Sequence, residues 1–194
     1  MKKILFPVLT LIAVVLLLFV IRPKEPDMKQ FDSRVQPRIV NLAPLKMLVV
    51  ELKGDPSLTS PEAFVLLYKS YFKVKSKDRK FKVQTPRARW TGNPKDRQSW
   101  VGDFGIPIPE DVTSLPAGMD PRLRIETWAY GDSAEILHKG AYTNEKPSID
   151  RLNAFIREQG WRIIGEHEEE YLTPPSANPG RMLTVIRYRV EKTK

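Results

Sequence analysis

The residues His138-Lys139-Gly140-Ala141-Tyr142, then Pro147, Gly160-Trp161-Arg162-Ile163-Ile164-Gly165 and Glu168-Glu169-Glu170-Tyr171-Leu172, decide how this chain folds. A strand ends on Lys139-Gly140, and a helix of about three turns opens at Pro147, a residue suited to the first turn. In that helix Ile149, Leu152, Phe155 and Ile156 share one apolar face. Gly160 supplies its C-terminal cap. A strand is then expected over 162–172, a Pro-containing loop over 173–180, and a last strand over 182–191, with Thr184, Ile186, Tyr188 and Val190 on one side.

The first half of the chain repeats this plan. Lys53-Gly54 is followed by Pro61 as Lys139-Gly140 is followed by Pro147, with an offset of 86 residues. Met47–Leu52 reads as the strand before it, Asp55–Thr59 as a loop, and Ser60 as a helix N-cap with Pro61 at the first helical position. Phe64, Leu67, Tyr68 and Tyr71 line one face of that helix. Strands follow at 99–108, 123–130 and 133–139, with Gly131-Asp132 as a turn. The fold class is α+β: duplicated strand–helix–strand–strand units, an antiparallel sheet with two helices, and a groove between the halves. Junctions of this kind form ligand sites.

Upstream, Ile4–Ile21 is 18 residues without charge, flanked by Lys2-Lys3 and by Arg22 and Lys24. As a helix it would span roughly 27 Å, and no small-residue cleavage site follows it. The division is therefore a transmembrane anchor at 1–24, a Pro-rich linker at 25–43 and a ligand-binding domain at 44–194. The expected location is a single-pass membrane protein with its domain outside the cytoplasm. The chain of 194 residues is 41% hydrophobic, enough for one domain with a real core. It carries no cysteine, which excludes disulfides and thiol chemistry.

The net charge of +9 is unevenly placed. Residues 73–98 hold ten basic side chains, Lys73, Lys75, Lys77, Arg79, Lys80, Lys82, Arg87, Arg89, Lys95 and Arg97, against Asp78 and Asp96. The run reads as a solvated rim or as a surface, over 73–97, for anionic membrane or an acidic partner. No nucleic-acid motif accompanies it, and nucleic acid is not an expected partner.

The ordered motifs above resemble the GyrI-like, or effector-binding, domain family. The resemblance lies in a strand ending His138-Lys139-Gly140-Ala141-Tyr142, a helix, Gly160 and Gly165, Glu169-Glu170-Tyr171, and Thr184-Val185-Ile186-Arg187-Tyr188-Arg189-Val190. It covers roughly residues 99–191. It implies a pseudo-twofold pair of units whose groove holds a glutamate facing cationic, aromatic ligands. By motif position that glutamate is Glu169. No DNA-binding segment precedes the domain in this sequence, and the basic run departs from the family's usual first half.

Strand alternation puts His167, Glu169 and Tyr171 on one face, and Glu166, Glu168 and Glu170 on the other, where the bare reading leaves them in solvent. Candidate ligand-binding residues are Glu169, Tyr142, Trp100, Phe104, Trp128 and Tyr171, with Tyr130 and Trp161 as further aromatic walls. A small amphipathic or cationic ligand is the expected partner, bound without catalysis. The alternatives are a hydrolase of a reactive small molecule using Glu169, and an interaction protein docking through 73–97. His138 and His167 are the only histidines, so neither a metal nor another cofactor is expected.

Overall fold

The computed structural model describes residues 28–194 apart from 79, 94, 175 and 176. The chain divides into two compact units, Met1–Gln30 and Phe31–Lys194. Of the first, the described residues 28–30 belong to a 3₁₀ turn, Met28–Arg34. The second contains strands β1 (Arg38–Leu42), β2 (Leu45–Lys53), β3 (Arg87–Thr91), β4 (Val101–Pro107), β5 (Leu123–Trp128), β6 (Gly131–Lys139), β7 (Trp161–Ile163), β8 (His167–Tyr171) and β9 (Leu183–Lys192). Helix α1 (Pro56–Tyr71) follows β2, and helix α2 (Lys146–Glu158) follows β6.

The expected α+β class holds. The strands form one nine-stranded antiparallel sheet in the order β1-β6-β9-β8-β3-β4-β2-β5, with β7 on the end of β9. The two strand–helix–strand–strand units meet at β8 and β3. β6, β9 and β8 of the second unit mirror β2, β4 and β3 of the first. The strand before each unit crosses over: β1 pairs with β6, and β5 pairs with β2. Each half thus closes the outer edge of the other. At the equivalent strand ends Gly54 has φ +134° and Gly140 φ +143°, backbone that side chains other than hydrogen rarely tolerate.

Both helices cover the same sheet face. Ala63, Phe64 and Leu67 of α1 pack on Leu48, Val50, Ala88 and Phe104. Leu152 and Ile156 of α2 pack on Ala134, Ile136 and Ile186. Across the sheet the register makes one transverse row on this face: Leu123, Val50, Phe104, Ala88, Glu169, Ile186, Ile136. Every member but Glu169 is apolar.

The opposite face carries a different row: Glu51, Asp103, Arg89, Glu168, Arg187, Glu135, Arg38. From Asp103 onward the charges alternate in sign. Glu168 is only 3% exposed, so the solvated reading of its face is wrong. It accepts hydrogen bonds from Arg89 Nε (2.9 Å), Arg187 Nη1 (2.8 Å) and the Tyr130 hydroxyl (3.0 Å). Arg187 also donates to Glu135 and Glu170. Buried charges persist when paired and hydrogen-bonded in this way.

Several local expectations change. α1 begins at Pro56, because Asp55 caps it by accepting from the Ser57 N–H at 2.8 Å; Pro61 lies inside the helix. The strand expected over 162–172 is broken into β7 and β8 around Gly165, where a Cβ would come within 3.0 Å of Arg189 Cβ. Residues 38–42, within the expected linker, form β1, with Arg38 bonded to Glu135. The basic run is not uniform: Arg87 and Arg89 turn into the charged row, and Arg97 pairs with Asp55.

The single-pass membrane location is corrected. Among the described residues no helix is long and apolar enough to cross a membrane. The longest, α1, has 16 residues, about 24 Å of helix against a hydrocarbon core of about 30 Å. The span expected at 4–21 lies outside the described residues.

Candidate functional site

Glu169 lies on β8 at the junction of the halves, opposite Ala88 of β3. Its side chain is 12% exposed. His167 Nε2 lies 2.9 Å from Glu169 Oε1, and the Tyr171 hydroxyl donates to Oε2 at 2.7 Å. Facing a carboxylate, Nε2 carries the proton, and Nδ1 accepts from the Tyr188 hydroxyl at 2.7 Å. The Trp90 indole N–H donates to the Tyr171 oxygen at 3.3 Å. Alternation along β8 and β9 brings His167, Glu169, Tyr171 and Tyr188 to one face.

A second carboxyl comes from the start of α2. Glu145 caps that helix: its carbonyl accepts from the Ser148 and Ile149 N–H groups. Its side chain turns inward, and the residue is 5% exposed. Burial, then the nearby Glu169 charge and a hydrogen bond to it, push the Glu145 carboxyl up to about 10, with Thr184 opposing. Burial works against the Glu169 charge, but hydrogen bonds from His167 and Tyr171 outweigh it and hold that carboxyl below the ordinary range. At neutral pH the pair is therefore one carboxylic acid beside one carboxylate.

Aromatic rings surround the pair. Tyr171 meets Tyr142 edge-on at 5.5 Å and Phe64 at 5.1 Å. Burial, then the two glutamates, raise the hydroxyls of Tyr142 and Tyr188 to about 12, so both remain donors. A cavity of about 390 Å³ opens beside the site, lined by Phe64, Tyr68, Val83, Pro86, Tyr171 and Pro174 among others. Glu169 does not line it. Tyr171 belongs to both, with its ring on the cavity and its hydroxyl on Glu169.

Of the residues expected from the sequence, the structure thus assembles Glu169, Tyr142 and Tyr171. Phe104 is fully buried in the core, edge-on to Phe64 and Trp90. Trp100 packs on the far side of Trp90, with its indole N–H on the Asn93 carbonyl. Trp128 lies on the other sheet face under the Arg89 guanidinium, 4.3 Å from its ring centre. Tyr130 donates its hydroxyl to Glu168 of the charged row, and Trp161 lies beneath Lys192. Glu145 and Tyr188 were missed, and His167 was placed on the right face without a role. Strand parity alone could have added Tyr188; nothing local marks Glu145.

No family model matches the sequence, and no curated protein matches it. Solved structures do. An uncharacterized conserved protein from Listeria innocua superposes with a TM-score of 0.72 at 21% identity, over 85% of this chain and 99% of that one. A hydrolase from the same organism gives 0.69 at 20% identity, over 84% and 96%. The EcmrR C-terminal domain gives 0.62 at 12% identity, over 81% and 98%. At these identities the likeness establishes the fold alone, an α+β domain with two helices on an antiparallel sheet, consistent with the GyrI-like fold that the sequence resembles.

Proposed function

We propose that this domain binds a small cationic or amphipathic aromatic molecule at Glu169 without transforming it. The observation that carries this reading is a largely enclosed carboxylate, its side chain 12% exposed, the single polar member of an apolar row and joined through Tyr171 to a mostly apolar cavity of about 390 Å³. An organic cation there gains charge attraction and cation–π contact with the tyrosines, while its hydrocarbon leaves water. Fluorescence titration with ethidium, compared with the neutral 6-phenylphenanthridine, tests it. Glu169→Gln should weaken ethidium by roughly 1.5–3 kcal/mol, the scale of a hydrogen bond to a charged group, and leave the neutral compound nearly unaltered. Equal loss for both compounds, or no ethidium binding at millimolar concentration, refutes the reading.

One observation favours hydrolysis as a second reading. Neutral Glu145 beside ionised Glu169 offers a proton donor and a base within one site. Incubation with a strained electrophile such as styrene oxide should then yield the diol, and Glu169→Gln should abolish it. A diol yield equal to the uncatalysed rate rules it out.

A further inference from the structure

Glu145, His167 and Glu169 each turn one ligand-capable atom to a common point, all within 4.8 Å of one another. Acidic groups gather on many surfaces, but here Glu145 is buried and His167 and Glu169 are largely covered, and the group contains an anomaly. Glu145 Oε1 is buried and accepts no hydrogen bond of ordinary geometry, although the carboxyl interacts with Glu169 and with Thr184, whose Oγ1 is orphaned as well. A buried oxygen without a donor costs about 1–3 kcal/mol, so its place in a fold requires a reason. A cation at the common point supplies one.

We propose that these three side chains bind a divalent first-row transition ion, of the class of Zn²⁺ or Mn²⁺. The inference shares Glu169 with the organic-cation reading but is separable from it, because it depends on Glu145 and His167 rather than on the aromatic cavity. Binding the ion displaces the Glu145 proton to solvent, and the resulting imidazole with two carboxylates suits these metals, whereas Mg²⁺ and Ca²⁺ favour all-oxygen sites. Around an ion with bonds of about 2.1 Å, ligand atoms sit about 3–3.4 Å apart. The His167–Glu169 separation of 2.9 Å, now a hydrogen bond, lies just under that range. Glu145 closes the remaining gap by side-chain rotation at the start of α2.

The surroundings match what metal ligands need. Tyr188 holds His167 Nδ1 at 2.7 Å, and Tyr171 holds the second oxygen of Glu169 at 2.7 Å. Such outer partners orient ligands and set the tautomer. With an ion bound, the imidazole proton moves to Nδ1 and donates to the Tyr188 oxygen, leaving the Nε2 lone pair for the metal. Three protein ligands leave a coordination position for water or an anionic group.

The test uses the full chain, stripped with chelator and titrated with Co²⁺ and Zn²⁺. Expected are one ion per chain by calorimetry and a visible Co²⁺ ligand-field spectrum displaced by Zn²⁺. Glu145→Gln and His167→Gln, both close in shape to the native residues, should each weaken binding at least about tenfold. His138→Gln should not, since that ring is taken up by Ser148 and the Ala141 carbonyl. Zn²⁺ affinity unchanged in Glu145→Gln and His167→Gln, or no binding at millimolar metal, overturns the proposal. Ethidium measured on the same chelator-treated protein separates the two readings: metal binding without ethidium binding removes only the organic-cation one, and the converse only this one.

Discussion

Glu168→Gln is the sharpest test of how this sheet is held together. The change removes one charge and almost no volume. Glu168 is the meeting point of Arg89, Arg187 and Tyr130, with Arg87 at 3.5 Å. Around it, five guanidiniums (Arg34, Arg38, Arg87, Arg89, Arg187) surround only three carboxylates, Glu135, Glu168 and Glu170. Losing one anion leaves five cations against two. The new amide also presents N–H donors to guanidinium donors. Breaking a buried pair from one side costs about 3–5 kcal/mol, a large share of the roughly 5–15 kcal/mol that holds a domain folded. Urea unfolding at pH 7, followed by tryptophan fluorescence and circular dichroism, measures it. Glu166→Gln is the control: Glu166 is exposed, and its loss should cost under about 0.5 kcal/mol. Glu168→Gln within 1 kcal/mol of the native protein, on the same scale as an ordinary surface change, would mean that the ladder contributes little and that β8 is held by its apolar side.

Other expectations follow from the same contacts. Burial opposes the Glu170 charge, but Arg87 and Arg187 outweigh it and depress its carboxyl from 4.5 to about 2; Glu135 is lowered likewise by Arg187 and Arg38. A depressed carboxyl contributes stability above its ordinary value and loses it as pH falls through the folded one, so the urea midpoint should drop between about pH 4.5 and 2; a flat profile there contradicts the pairing. Asp55→Ala removes the cap of α1 and should cost about 1 kcal/mol by thermal unfolding. Arg97→Ala, which removes only an exposed partner of Asp55, should cost much less; equal costs would assign the effect to the ion pair.

The duplication, both helices and most strand positions were legible because they rest on local signals: apolar spacing, Pro at a helix start, Gly at a strand end. Strand alternation also separated Glu169 from Glu168 and Glu170 correctly. It did not tell which face the helices cover, because that depends on how the units associate. Phe104 and Trp128 were therefore grouped with Glu169, although Phe104 is core and Trp128 lies on the reverse face. The ion ladder was invisible for a related reason. Arg89 and Glu168 are 79 residues apart, and Arg38 and Glu135 are 97 apart. Only the register across β1, β6, β9, β8 and β3 joins them. The swapped edge strands β1 and β5 share this origin: each carries strand-forming residues, but neither names its partner. Asp55 was read as loop because Ser60-Pro61 offered a competing start.

The pseudo-symmetry explains why the site has one charge centre rather than two. In the transverse row, Val50 and Ile136 correspond at the 86-residue offset, as do Phe104 and Ile186 by place, which leaves Ala88 as the counterpart of Glu169. The first half thus meets the junction with Ala88, Trp90 and Phe64, and the second with Glu169, His167 and the Glu145 carboxyl. A symmetric pair of glutamates at adjacent positions of β3 and β8 would repel across the strand pair and bury two charges where one already needs His167 and Tyr171 to hold it. The asymmetry resolves this by making one wall apolar and the other ionisable. The reverse face of the same five-residue strand, β8, carries Glu168 and Glu170 in the ladder, which fixes β8 between β3 and β9. With alternation, a strand pinned through 168 and 170 aims 167, 169 and 171 without further support.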